Sequence, residues 1–217
     1  MPPDGGGRPA AGRRHGTGPA MTEVWLGHGA WASAAAMQPW VDGLRARGLA
    51  AGAVALPRGR AERGIAPFAA QTPDVPGVVV GGHSLGARVA TLLVAAGARS
   101  PERRHQWAGV VALSYPLHPP RRPDPGLARA AHWPALAVPV LLLAGDADPY
   151  ARLDLLRLAA TRLPRGELVV YPGLGHDLSP VREAVLDRIA EFVRSTDAGA
   201  GSVEPGARPA SAARIPG

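Results

Sequence analysis

Short apolar runs alternate with longer amphipathic stretches through the middle of the chain, and this alternation predicts repeated strand-then-helix units. Glu23 to Leu26 reads as a first short strand, ending in Gly27-His28-Gly29-Ala30-Trp31. Met37 to Arg47 reads as a helix stopped by Gly48, and Ala51 to Leu56 as a strand closed by Pro57. The β-branched run Val78-Val79-Val80 predicts a buried strand, and Leu85 to Ala96 a helix ended by Gly97. Val110 to Leu113 and Val138 to Ala144 predict two more strands, Leu153 to Arg162 a helix, Glu167 to Tyr171 a last strand, and Pro180 to Arg194 a closing helix. Apolar strands joined by helical crossovers imply an α/β fold, with a mostly parallel central sheet covered by helices on both faces. No internal repeat is visible.

The ends read differently. Residues 1–21 and 197–217 are rich in Gly, Pro, Ala, Arg and Ser without periodicity, so both are expected to be disordered tails around one folded domain, residues 22–196. Met21 stands where structure is expected to begin and is an alternative start to Met1. The chain has 217 residues and no cysteine, which excludes disulfides, thiolate catalysis and cysteine-based metal centres. No apolar run approaches a membrane span and the N-terminus lacks a signal-peptide core, so the expected setting is cytoplasmic, away from membranes. Net charge is +7, and all 24 basic residues are arginine. These arginines are scattered and lack interleaved aromatics, so a solvated basic surface is expected and no nucleic-acid partner.

Chemistry concentrates in one stretch. The run Val78 to Val80 meets Gly82-His83-Ser84-Leu85-Gly86, a Gly-x-Ser-x-Gly pentapeptide, and then a helix-forming segment. A strand-to-helix turn this tight forces the serine into a strained backbone, and the two glycines lack the Cβ atoms that would collide across it. Ser84 is thereby lifted above the sheet edge as a candidate nucleophile, with the Leu85 N–H at the helix start aimed where an oxyanion would form.

A serine hydroxyl needs a base, and the base needs a third group to hold its tautomer. His176, in Pro172-Gly173-Leu174-Gly175-His176-Asp177, is the histidine that follows the candidate acids. Asp146 and Asp148 both lie after the strand Val138 to Ala144. Asp148 is preferred because its Gly-x-x-Asp spacing carries the carboxylate past the turn, whereas Asp146 is suited to bond local backbone N–H groups. In a parallel sheet, ligands bind outside the carboxyl ends of the strands, and His28, Ser84, His118, Asp148 and His176 all follow predicted strands.

After the first strand, Gly29 lets the backbone turn inward so that the Ala30 N–H joins that of Leu85 in an oxyanion hole. His28 is expected to hold this loop, with substrate contact as an alternative. His118 is read either as a substrate contact or as a residue bonding backbone in a proline turn. Arg121 and Arg122 beside it, and Arg129 farther along the same stretch, are candidates for attracting a carboxylate or phosphate, which suggests a small anionic acyl substrate. No His-x-x-x-His or His-Glu-x-x-His spacing supports a metal site, and no cofactor is expected.

Taken together, these residues resemble the α/β-hydrolase superfamily over nearly the whole folded body. Gly81-Gly82-His83-Ser84-Leu85-Gly86-Ala87-Arg88, Tyr115-Pro116-Leu117-His118-Pro119-Pro120 and Arg129-Ala130-Ala131-His132-Trp133 look like the blocks of a small cap-less family related to dienelactone hydrolase, which includes NSL-complex subunit 3-like and testis-expressed hydrolase-like proteins. The resemblance implies a serine-hydrolase scaffold without a large cap domain. Two departures matter: that family often has Lys-Ser-Met where this chain has His83-Ser84-Leu85, and dienelactone hydrolases use a cysteine nucleophile. The expected activity is cleavage of an ester, thioester or related acyl bond of a small molecule by a monomer or homodimer. The rivals are acyl transfer or perhydrolysis by the same triad, and a non-catalytic interaction protein of the same fold.

Overall fold

The computed structural model describes residues 22–97, 107–124 and 127–200, so the tail expected at 1–21 and residues 201–217 of the tail expected at 197–217 lie outside the described residues. Among the described residues six strands form one sheet: β1 (Glu23–Gly27), β2 (Ala50–Val54), β3 (Val78–His83), β4 (Trp107–Leu113), β5 (Val140–Gly145) and β6 (Gly166–Tyr171). Their order is β2-β1-β3-β4-β5-β6, and every neighbouring pair is parallel. Among the same residues five α-helices cover it: α1 (Gln38–Ala46), α2 (Ile65–Gln71), α3 (Leu85–Gly97), α4 (Leu153–Ala160) and α5 (Arg182–Ala200).

Side chains alternate across the strands, so consecutive apolar residues feed two separate cores. Val78 and Val80 of β3 pack with Phe68 of α2, Val89 and Leu93 of α3, and Leu156 of α4 on one face. Val79 packs on the other with Trp40, Val41 and Leu44 of α1 and Val185, Leu186 and Ile189 of α5. This division follows from right-handed crossovers: only the β1-to-β2 connection runs toward the β2 edge, which puts α1 opposite α2, α3 and α4. The reversal of direction falls between β1 and β3, and a crevice opens there at the carboxyl ends of the strands.

The predicted elements are all present, with shifted ends. β4 starts at Trp107, before the expected Val110, and α5 runs past the expected Arg194 to Ala200. Helix α2 was not expected: it is seven residues long and contains Pro67, so it carries too little periodicity to read, yet its Phe68 is fully buried. Between β4 and β5 no separate domain intervenes in the described residues. Tyr115, Leu117, Leu127, Trp133 and Leu136 instead fold back into the core, each at most 1% exposed.

Candidate active site

The turn from β3 to α3 is as tight as its sequence requires. Ser84 has φ 53°, in the left-handed region, and Gly82 has φ 148°. A Cβ on Gly82 would lie 2.1 Å from the Gly27 carbonyl oxygen, and one on Gly86 would lie 2.0 Å from the same atom. The helix start therefore presses directly against the end of β1. Gly86 N–H donates to His28 O at 3.0 Å, which ties the two together.

Three side chains from three separate loops meet here. His176 Nε2 lies 2.9 Å from Ser84 Oγ. His176 Nδ1 lies 2.8 Å from Asp148 Oδ2 and 3.0 Å from Oδ1. A carboxylate only accepts, so Nδ1 carries the proton and the Nε2 lone pair faces the serine hydroxyl. The Asp148 side chain is fully buried, and its Oδ1 also accepts the Tyr150 N–H at 2.8 Å. Asp146 is used otherwise: its Oδ1 accepts the Gly173 N–H at 2.8 Å, pinning the loop that carries His176.

His83, the residue before the serine, also holds that loop. Its Nε2–H donates to the His176 carbonyl at 3.0 Å, and its ring lies 4.9 Å from the His176 ring, centroid to centroid. Burial pushes the His83 imidazole below its ordinary pKa, opposed in part by the bond to that carbonyl, so it sits as a neutral donor. Tyr150 flanks His176 on another side at a ring distance of 4.4 Å.

Ala30, Ser84 and Leu85 line one cleft of about 710 Å³. Leu85 opens α3, where the first N–H groups have no partner within the helix.

Of the remaining candidates, Arg129 lines this cleft, whereas His28, His118, Arg121 and Arg122 do not. His28 is 4% exposed; its Nδ1–H donates to Gly29 O at 2.7 Å and its Nε2 accepts the Leu56 N–H at 2.9 Å. It braces the loop bearing Ala30, with both ring nitrogens engaged by backbone. His118 is 2% exposed, with Nδ1–H donating to Pro119 O at 2.8 Å and Nε2 accepting the Arg152 N–H at 2.9 Å. It pins the loop that follows Asp148, again with both ring nitrogens engaged by backbone. Arg121 and Arg122 are exposed and stand outside the lining; Arg60, Glu62, Arg88, Arg129 and Tyr150 take that place. Of these, Arg129 is a candidate from sequence; spacing misses the other four because they come from three separate segments, although Arg88 sits inside a motif block. Among the described residues no cluster of His, Asp and Glu could hold a metal ion, and no helix is long and apolar enough to cross a membrane.

Comparison with known proteins agrees with this architecture. A family described as "Alpha/beta hydrolase domain" matches residues 60–199. Among solved structures, a monoacylglycerol lipase from Paleococcus ferrophilus superimposes with a TM-score of 0.66 at 17% identity, covering 80% of this chain and 94% of that one. Est1E from Butyrivibrio proteoclasticus gives 0.66 at 15% identity, covering 85% and 91%. A putative non-heme bromoperoxidase, BpoC, from Mycobacterium tuberculosis gives 0.64 at 17% identity, covering 82% and 94%. At these identities the likeness is one of fold. No curated protein matches the chain in sequence.

Proposed function

Since this chain belongs to the alpha/beta hydrolase domain family, we propose that it is a serine hydrolase cleaving an ester, thioester or related acyl bond through Ser84, His176 and Asp148. The observation that carries this reading is the unbroken line from a buried carboxylate through an imidazole to a strained serine hydroxyl, at 2.8 and 2.9 Å. A scaffold without chemistry has no physical need for that alignment. Within the family, the Tyr115 to Pro120 and Arg129 to Trp133 blocks favour kinship with the cap-less, dienelactone-hydrolase-related proteins, acting in a cytoplasmic setting.

In the reaction, Ser84 Oγ bonds to the acyl carbon while its proton passes to His176 Nε2. The carbonyl oxygen becomes an oxyanion held by the N–H groups of Ala30 and Leu85. Asp148 keeps Nδ1 protonated and stabilises the imidazolium. The intermediate collapses, the bond to the leaving group breaks, and His176 returns the proton to that group. Water repeats the sequence against the acyl-serine and frees the acid.

Intact mass after incubation with a fluorophosphonate probe tests this. A single adduct is expected on the native protein, absent in Ser84→Ala and strongly slowed in His176→Ala. No adduct on well-folded native protein would overturn the serine-hydrolase reading.

A further inference from the structure

The cleft beside Ser84 is positively charged beyond what its own acids balance. Three arginines line it, Arg60, Arg88 and Arg129, against one glutamate, Glu62. That glutamate is already taken by Arg88, whose Nη2 donates to Glu62 Oε1 at 3.1 Å. Arg88 Nε is buried without a hydrogen-bond partner. Arg129 makes one bond, from Nη1 to Pro116 O at 3.1 Å, leaving most of its fork of donors uncommitted among the described residues.

These arginines are held in place. Arg88 follows the nucleophile by one turn of α3, its N–H donating to Ser84 O at 3.1 Å, so its distance from the reaction centre is set by the helix. The Arg88 carbonyl accepts the Thr91 hydroxyl at 2.9 Å, and Thr91 Oγ1 in turn accepts His132 Nε2–H at 2.9 Å. The Arg129 carbonyl accepts the buried Tyr115 hydroxyl at 2.6 Å, and the Tyr115 ring packs edge-on against Trp133. The two sequence blocks around Tyr115 and Trp133 thus build a platform that fixes two cations at one wall of the cleft. Burial, and then the Arg88 charge, lower the pKa of Arg129, as expected for like charges held in a partly dry site.

We propose that this wall is an anion subsite, and that the substrate is an ester or thioester carrying a carboxylate or phosphate gripped by Arg88 and Arg129. A fork-like guanidinium pair matches the planar or tetrahedral oxygens of such a group, and bound anionic charge relieves the repulsion between the two cations. This rests on the serine-hydrolase reading; of the three arginines singled out from sequence it keeps Arg129, adds Arg88, and leaves out the exposed Arg121 and Arg122.

The test compares kcat/KM for p-nitrophenyl hydrogen adipate with that for p-nitrophenyl hexanoate, which differ in acyl-chain charge. A second pair, 3-acetoxybenzoate and phenyl acetate, places the charge on the leaving group. In at least one pair the charged-to-neutral ratio is expected to fall about tenfold or more in both Arg88→Gln and Arg129→Gln, as loss of a charged hydrogen bond predicts. The ratio stays at the native value in Arg157→Gln, on exposed helix α4 surface. Glu62→Gln, which frees Arg88, is expected to raise the ratio, an effect that a folding defect does not mimic. Ratios unmoved by all three cleft variants would overturn the subsite. Calorimetric titration of adipate and of inorganic phosphate into the Ser84→Ala protein needs no turnover and separates the two anions: binding of either that is lost in the added Arg129→Gln change supports the proposal, and binding of neither overturns it. Neutral-ester turnover that survives Ser84→Ala would instead sink the hydrolase reading.

Discussion

Ser84 occupies a left-handed backbone, φ 53°, that costs a residue with a Cβ about 1–2 kcal/mol. That strain is borne because the strand before it and the helix after it over-determine the turn, and the hydroxyl is presented to His176 as a result. The two aspartates on the neighbouring loop illustrate how position decides role. Asp148 meets the imidazole, while Asp146 meets the Gly173 N–H. If Asp148 sets the tautomer of His176, Asp148→Asn is expected to lower kcat by about 10⁴-fold with the fold intact. Asp146→Ala removes one exposed hydrogen bond of the histidine loop, about 1 kcal/mol, and is expected to cost less than about tenfold. Steady-state kinetics on the two variants separates the roles, and comparable losses would mean that Asp148 is not the acid of the triad.

At the scale of elements, the decisive contact is between the end of β1 and the start of α3. The backbone of α3 comes so close to Gly27 that nothing larger than hydrogen fits at Gly86. This approach brings the loop bearing Ala30 beside Leu85, so two residues distant in sequence line one cleft. Gly86→Ala places a methyl against a backbone oxygen that cannot swing away, and is expected to cost at least about 3 kcal/mol in urea unfolding. Gly173→Ala is the contrasting case. Its surroundings are open and only its φ of 72° opposes a side chain, so a cost of about 1 kcal/mol is expected. Equal costs would mean that the close approach does not constrain the fold.

Across the whole molecule, the sheet divides the core in two, and half-buried histidines sit among the apolar side chains. Burial first, and then the Arg88 charge, push His132 from 6.5 down to about 4; burial also lowers His83. Both are therefore neutral in the folded protein at pH values where the unfolded chain binds protons. Stability from this source is complete above the unfolded value near 6.5 and is lost as pH falls toward about 4. Each pH step of one below the unfolded value corresponds to about 1.4 kcal/mol, so His132 contributes at most about 2 kcal/mol of destabilisation by about pH 5. The melting temperature is expected to drop between pH 7 and pH 5, and to drop less in His132→Gln. An identical drop in that variant would remove His132 as the cause.

By itself, the sequence determined what depends on neighbours along the chain. Apolar runs such as Val78-Val79-Val80 and Leu141-Leu142-Leu143, short and bounded by glycine or proline, read as buried strands, and Gly82 and Gly86 around Ser84 read as a tight strand-to-helix turn. Parallel order followed, and with it the end of the sheet where Ser84, Asp148 and His176 lie. The tertiary structure decided what depends on distance across the fold. His28 and His118 could be separated from the cleft only once Leu56 and Arg152 were seen to bond their rings. Arg88 and Arg129, far apart in the chain, became one charged wall only when α3 and the segment after β4 packed together. Helix α2 gave no local signal because its stability comes from burying Phe68, not from its own seven residues. Local propensity and spacing are written residue by residue, whereas which side chains line a cavity is set by how separate elements pack.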